Sequence, residues 1–300
     1  MQSCQIHSSV RDTLTLVHDR FEKADLFFGH GTDNAWDEAA WLVAHIIGAG
    51  NQDLNDFTEK HLSQKERQQL DEIVEQRCRQ QTPLAYILKE TWFAGVPFYI
   101  DERALVPRSY IGEWIEGGFS PWVDMSTVCT VLDLCTGSGC IAAAVALEFP
   151  HCQVIAADIS ADALEVAAIN IDRHKLNERV TLIDSDLFDQ IPDIHFDLIL
   201  CNPPYVSDEL MKNLPREYLQ EPELALRADN DGTEIIEQIL DKASRFLSPQ
   251  GHIIIETASA TDAIARRHPH SPFTWLSAAN GETPLILLSR EELSKITIPR

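Results

Sequence analysis

The sequence predicts an α/β fold: a mostly parallel, Rossmann-like sheet, preceded by a helical domain and joined to it by a β-hairpin linker. Three observations carry this. Residues 1 to 90 place apolar side chains at helical spacing; residues 91–108 concentrate aromatic and β-branched residues around Gly95 and Pro97; from Val128 onward strand-like and helix-like stretches alternate. The expected boundaries are a helical domain over 1–90, a linker over 91–108 and an α/β domain over 109–300, within the size range of domains for a chain of 300 residues.

In chain order, a helix is expected from Val10 to Phe28, with apolar residues at 10, 14, 17 and 21, stopping near Gly29 and Gly31. A second runs from Ala35 to Ile47 and stops at Gly48. A third opens with Ser63 and Glu66 in capping-box spacing and carries Leu70, Ile73, Val74 and Arg77 on one side. Residues 109–127 are expected to bring a helix into the next domain. Strands follow at 128–134, 152–158, 179–184, 195–201 and 251–257, with helices at about 139–149, 160–174, 232–247 and 259–268. Apolar runs at 273–277 and 284–289 would close the sheet as a hairpin with an antiparallel edge.

Composition narrows the partners. The formal net charge is −23, divided as −7 up to residue 115 (18 acids, 11 bases) and −16 beyond it (29 acids, 13 bases). Neither part offers the positive field that phosphates require, so direct nucleic-acid binding is disfavoured. An acidic surface would steer a basic protein partner, or simply keep the chain soluble. Seven cysteines with no C-x-x-C pair read as reduced thiols of a cytoplasmic protein, and with no H-E-x-x-H motif among eleven histidines no metal site is expected. The polar stretch Met1 to Asp12 lacks a leader's apolar segment, and no apolar run reaches membrane-spanning length.

The first strand of the α/β region runs through Val131-Leu132-Asp133-Leu134 into Cys135-Thr136-Gly137-Ser138-Gly139-Cys140. Its two glycines permit a tight turn and close approach of a ligand to the backbone at a helix start. There is no G-K-[ST], so a phosphate-cradling P-loop is excluded. The second strand ends on Asp158, placed to accept from both hydroxyls of a ribose. The third leads to Asp186, placed to accept from an adenine amino group beside Leu187 and Phe188. With carboxylates around the ligand and no lysine or arginine expected there, the polarity suits a nucleoside without phosphates. S-adenosylmethionine is such a ligand.

The fourth strand runs into Asn202-Pro203-Pro204-Tyr205. Two prolines remove two backbone donors and hold the chain extended, so carbonyl oxygens are left unpaired. The Asn202 amide oxygen adds an acceptor and Tyr205 a flat aromatic face. Such a corner can hold a planar NH2 group by both hydrogens, which suits chemistry on an amide or amino nitrogen.

With Asp133 to Ala142, Asp158, Asp186 and Asp197 to Tyr205 in this order, the chain resembles the class I S-adenosylmethionine-dependent methyltransferases. Within them it is similar to the protein-(glutamine-N5) methyltransferases over nearly its whole length. The linker stretch Phe98 to Ser109, with Pro107-Arg108-Ser109, and Glu221-Pro222-Glu223-Leu224-Ala225-Leu226 followed by Asp231-Gly232, resemble the branch that modifies large-subunit ribosomal protein three. The other branch modifies the Gly-Gly-Gln motif of peptide release factors. Relatives commonly carry a glycine where this chain has Thr257-Ala258 after Glu256, and a small residue or proline in place of Tyr110.

The resemblance implies S-adenosylmethionine contacts at Asp133, Cys135, Thr136, Gly137, Ser138, Gly139, Asp158, Ile159, Asp186, Leu187 and Asn202. It implies catalysis by Asn202, Pro203 and Tyr205, with Pro204 and Arg108 also touching the substrate glutamine or lining its approach. Residues 207–231, holding seven acids and three bases, are expected to form a lip over the substrate channel. Two rival functions share parts of this pattern. An adenine-N6 methyltransferase makes the same demands on an NH2 group but needs a basic surface. A ribosome-assembly factor without chemistry would not need the intact corner.

Overall fold

The computed structural model describes residues 9–50 and 54–298. The polar N-terminal stretch read above lies outside the described residues as far as residue 8, and Cys4 with it. The described residues form two compact units: one takes those up to Lys89 together with Pro215–Gln220, the other takes Glu90–Leu214 and those from Glu221 onward.

The first unit is helical. Helix Val10–Glu22 is capped reciprocally by Ser9 and Asp12, and it stops six residues short of Phe28, with Lys23 as its C-cap and Asp25 turning the chain through a left-handed backbone. Ala35–Ile47 begins at Asn34 and ends at Gly48, whose φ of +67° is the usual helix stop. Gln64–Gln80 carries the Ser63–Glu66 capping box, and a short helix, Leu84–Leu88, follows. Phe21, Leu42, Val43, Leu70, Val74 and Leu84 make the core. Arg77, on the inner face of its helix, is buried: its Nε donates to Glu38 Oε1 (2.6 Å), its Nη1 to Glu217 Oε1 (3.0 Å) and its Nη2 to the Phe27 carbonyl (2.9 Å). Glu217 belongs to the six residues 215–220, which the sequence assigns to the lip and the fold assigns to this unit.

The second unit opens with a hairpin, β1 (Thr91–Phe93) and β2 (Val96–Phe98), paired antiparallel. Ala94 and Gly95 both have positive φ, the turn whose twist matches a two-residue hairpin. The seven-stranded sheet comprises β3 (Thr130–Leu134), β4 (Gln153–Asp158), β5 (Val180–Asp184), β6 (Phe196–Cys201), β7 (Leu247–Glu256), β8 (Thr274–Leu276) and β9 (Leu285–Ser289), in the spatial order β5-β4-β3-β6-β7-β9-β8. The first five strands pair in parallel, while β9 joins β7, and β8 joins β9, antiparallel. The α/β expectation, antiparallel edge included, is met. Alternate residues feed separate cores on the two faces: Val131, Val154, Leu198 and Ile254 with helix Cys140–Glu148 on one, Leu132, Ile199, Ile253 and Ile286 with helix Glu234–Lys242 on the other.

In this unit the helix and the strand that follow depart furthest from expectation. The helix expected over 109–127 is only Ile111–Glu116, ended by Gly117 and Gly118. Strand β7 starts at Leu247 rather than at 251, because Leu247 pairs with Phe196 ahead of a register shift. Gly251 sits at that irregularity, and a Cβ there would lie 2.7 Å from the Phe196 carbonyl oxygen. A glycine that reads as a strand boundary is therefore a point of close backbone approach inside a strand.

Sheet order positions the site. Strand β3 has β4 on one side and β6 on the other, so the chain changes direction across the sheet at β3, and the crevice opens outside the C-terminal ends of these strands.

Candidate active site

That crevice is a cleft lined by the ends of four strands: Cys135, Thr136, Gly137 and Ser138 after β3; Asp158 and Ile159 at β4; Asp186 and Leu187 after β5; Asn202 and Pro204 after β6. Arg108 lines it as well. Asp133, Gly139, Pro203 and Tyr205 are not among the lining residues, although each lies within two residues of one that is.

The loop after β3 is fixed from below. Asp133, fully buried, accepts from Thr136 Oγ1 (2.5 Å) and from the Ala142 N–H (3.0 Å) through Oδ2, stapling the loop and the first turn of its helix to the strand. Its Oδ1 has no partner among the described residues, and burial pushes its pKa up to about 7. The two glycines serve different purposes. At Gly139 (φ +76°) a Cβ would lie 3.0 Å from Ala167 Cβ, so this glycine lets the loop pack on helix Ala161–Arg173. At Gly137 (φ +55°) a Cβ would meet nothing within 4 Å, so this glycine leaves open space beside the backbone. A ligand that approaches main chain fits there. Cys135 (φ +56°) and Leu187 (φ +49°) adopt the left-handed conformation without being glycine, and both line the cleft. Strain of this kind, on the order of 1–3 kcal/mol per residue, concentrates where binding geometry has to be held.

Asp158 links two walls: Oδ2 accepts from the Gly137 N–H (2.8 Å) and Oδ1 from the Ser160 N–H (2.9 Å). Burial raises its pKa, with these backbone donors opposing the shift. Asp186 is exposed at the rim and Ile159, half-exposed, leaves apolar surface in the cleft. Phe188 corrects one expectation: it is buried against Phe246, ring centroids 4.6 Å apart, and leaves Leu187 alone as the apolar neighbour of Asp186.

The expected lack of cations is also corrected, since Arg103, Arg108 and Arg227 line the cleft. All three are engaged by carboxylates. Arg103 holds Asp101 (2.9 and 2.8 Å) and Glu165 (2.6 Å), which with the Tyr99 hydroxyl lowers the Asp101 pKa to about 2. Arg108 donates through both terminal nitrogens to the buried Glu221 (2.6 and 2.7 Å), and Arg227 pairs with Asp208 and Glu223. Composition could not reveal these pairs because their partners lie 2 to 113 residues away in sequence. Pro222, Leu224 and Ala225 of the 207–231 segment line the cleft.

The Asn-Pro-Pro-Tyr corner is held at both ends. Cys201 still pairs with Ile255 in the sheet. At the far end the Tyr205 carbonyl accepts from Ser259 Oγ (3.1 Å) and the Tyr205 hydroxyl donates to Glu256 Oε1 (3.1 Å). Between them, Asn202 Oδ1 is buried and has no hydrogen-bond partner among the described residues, and no described donor reaches the Pro203 carbonyl. Asn202 Oδ1, on a residue that lines the cleft, and the Pro203 carbonyl next to it in the chain are thus two acceptors without a described donor.

Gly232 has a role the sequence did not announce. Its φ is +84°, and a Cβ there would overlap the Tyr205 carbonyl oxygen. Gly232→Ala should push the corner out of place, costing about 1–3 kcal/mol of stability and lowering turnover roughly tenfold, with S-adenosylmethionine affinity unchanged. Denaturant melts, steady-state rates and calorimetric titration together check this.

Glu256, the last residue of β7, is buried, and burial lifts its pKa to about 7. A carboxyl that holds its proton more tightly when folded than when unfolded stabilises the fold below its unfolded pKa, and that contribution is lost as pH rises through about 7. The stability of Glu256→Gln relative to wild type should therefore shift in the variant's favour between about pH 5 and pH 8, measured by urea unfolding at each pH.

Among the described residues no cluster of three or more His, Cys, Asp or Glu side chains is arranged for a metal ion, and no helix is long and apolar enough to cross a membrane.

The family model described as Methyltransferase small domain matches residues 122–264, and that described as PrmC N-terminal domain matches residues 23–88. The chain is 42% identical over 293 residues to the ribosomal protein uL3 glutamine methyltransferase of Neisseria meningitidis serogroup A, covering 97% of this chain and 96% of that protein. It is 41% identical over 288 residues to the protein of the same description from Francisella tularensis, covering 96% and 92%. Among solved structures, the hMettl16 catalytic domain in complex with MAT2A 3'UTR hairpin 1 aligns with a TM-score of 0.52 at 15% identity, covering 87% of this chain and 93% of that one, a likeness of fold alone.

Proposed function

We propose that this chain, which belongs to the family of the ribosomal protein uL3 glutamine methyltransferases, moves a methyl group from S-adenosylmethionine to the side-chain amide nitrogen (N5) of a glutamine in ribosomal protein uL3. The observation that carries the reading is the buried Asn202 Oδ1, left without a donor at the end of β6 in a cleft whose other walls fit a nucleoside.

S-adenosylmethionine, when bound, supplies an activated methyl group on a positively charged sulfur. The residues that would hold it are those around the open space at Gly137, with Asp158 for the ribose hydroxyls, Asp186 for the adenine amine and Ile159 and Leu187 as apolar walls. The task left to the protein is the acceptor. An amide nitrogen is a weak nucleophile because its lone pair is shared with the carbonyl. Asn202 Oδ1 and the Pro203 carbonyl each accept one amide hydrogen, which orients the nitrogen and favours the pyramidal geometry of bond formation. Both oxygens also stabilise the positive charge that grows on nitrogen, so they act more strongly on the transition state than on the bound substrate. Once the nitrogen carries the methyl group, it releases one of its two hydrogens as a proton to water. Tyr205 closes the corner.

The helical unit serves to recognise the substrate, with Arg108 at the approach to the corner. A chain of net charge −23 steers a basic ribosomal protein in the cytoplasm. Incubation with labelled S-adenosylmethionine and either uL3 or a peptide release factor tests the assignment. Label in uL3, removed by glutamine-to-alanine replacement in that substrate, is expected. Label in the release factor alone would move the chain to the other branch, and label in RNA alone would make it an adenine methyltransferase.

A further inference from the structure

Glu256 is buried at the end of β7, a position that by itself announces no task. Taking a carboxylate out of water costs several kcal/mol unless donors meet it. Three do: Ser109 Oγ (2.6 Å) and the Tyr110 N–H (3.1 Å) on Oε2, and the Tyr205 hydroxyl (3.1 Å) on Oε1. All three are uncharged, and the nearby Arg108 is already paired with Glu221. Buried acids of this kind are weak contributors to stability, and a well-packed neutral residue would serve a purely structural end equally well.

The donors come from the two segments that flank the cleft: Ser109 and Tyr110 follow Arg108 in the linker, and Tyr205 ends the corner. From Cys201, fixed in the sheet, to Tyr205 there are three residues, two of them prolines with φ locked near −65°. The positions of the Asn202 and Pro203 oxygens then depend chiefly on where Tyr205 is held. The Tyr205 carbonyl is gripped by Ser259; its phenol is gripped by Glu256.

We propose that Glu256 is a positioning residue for methyl transfer: its carboxylate ties the phenol of Tyr205 to Ser109 and Tyr110, and so sets the corner's two free oxygens in register with the linker side of the cleft. The proposal rests on the amide-holding role of the corner given above. Glu256 touches neither substrate nor methyl donor; it acts through Tyr205.

The test is a double-mutant cycle on the full-length protein with uL3 as acceptor, using Glu256→Ala, Glu256→Gln, Tyr205→Phe and the double variant E256A/Y205F. Steady-state rates are read alongside S-adenosylmethionine affinity by calorimetry. Tyr205→Phe keeps the aromatic ring and removes the hydroxyl that donates to Glu256. Glu256→Ala and Tyr205→Phe should each lower kcat about tenfold or more, leave S-adenosylmethionine affinity within about twofold, and lose no more together than either alone. Glu256→Gln keeps the shape and one acceptor oxygen for Ser109 and Tyr110, while its NH2 can donate to the Tyr205 oxygen. The tie is then kept in the reversed sense, and most of the rate should be recovered. Losses that multiply in the double variant would overturn the proposal, as would wild-type kcat in Glu256→Ala, a parallel loss of S-adenosylmethionine binding, or a Glu256→Gln no better than alanine. If Glu256→Ala does not fold, the same cycle with Glu256→Leu, which fills the site but removes the acceptor, and Tyr205→Phe decides: multiplied losses again overturn it, and losses no greater together than either alone support it. Full activity in Asn202→Ala would instead show that the corner itself is misread, a result separable from any behaviour of Glu256.

Discussion

Asn202→Ala is expected to lower methyl transfer by on the order of 10²-fold or more, while S-adenosylmethionine binds as tightly as to wild type. The expectation follows from which interactions the residue makes in the free protein. Asn202 Oδ1 is buried and accepts from no described group, so its removal orphans no donor and opens no hole in the ladder that ends at Cys201. What disappears is one of two acceptors for the amide hydrogens. Its loss matters most when charge develops on nitrogen, so kcat falls more than KM rises. Single-turnover rates with saturating uL3, set beside a calorimetric titration of S-adenosylmethionine, separate the two quantities. Equal loss of binding and turnover would assign Asn202 to the architecture of the cleft instead.

Asp158→Ala should have the opposite signature: S-adenosylmethionine affinity falls by on the order of 10²-fold, and turnover at saturating S-adenosylmethionine falls much less. Two effects add. The carboxylate lost is the proposed partner of both ribose hydroxyls, and a charged hydrogen bond contributes about 1.5–3 kcal/mol. The Gly137 N–H also loses its 2.8 Å acceptor, so the open side of the loop is no longer fixed. Asp158→Asn keeps an acceptor for Gly137 and should fall between alanine and wild type. A calorimetric titration of the three proteins checks the order. An alanine variant that binds S-adenosylmethionine normally would remove Asp158 from the site.

Much of this arrangement was legible in the sequence because it follows from local rules. The parallel sheet could be read from alternation, and Gly137, Asp158, Asp186 and Asn202 all stand at strand ends, which any open parallel sheet gathers on one edge. Capping at Ser63 and the stop at Gly48 were equally local. What escaped was what depends on distant pairing. Arg77 looked like one more position on a helical stripe, and only the fold brings Glu38 and Glu217 to it from 39 and 140 residues away. Arg108 was expected at the substrate's approach, and its pairing with Glu221, 113 residues away, was not legible. Glu256 stood out only as the residue before a departure from its relatives, and its partners are 51 and 147 residues distant. Gly232 enters the sequence reading only beside Asp231 at the start of an expected helix, whereas its need for no side chain is set by the carbonyl of Tyr205 across the site. Leu187 and Cys135 carry no sign of their left-handed backbones, since nothing in a leucine or a cysteine announces strain.

The catalytic reading asks that one nitrogen meet two particular oxygens. A crystal structure of the protein with S-adenosylhomocysteine and a glutamine-bearing segment of uL3 measures this directly. The glutamine NH2 should donate one hydrogen to Asn202 Oδ1 and the other to the Pro203 carbonyl, with the nitrogen facing the sulfur of the spent donor. A glutamine amide bound through other acceptors, or these two oxygens turned to partners within the protein, would contradict it.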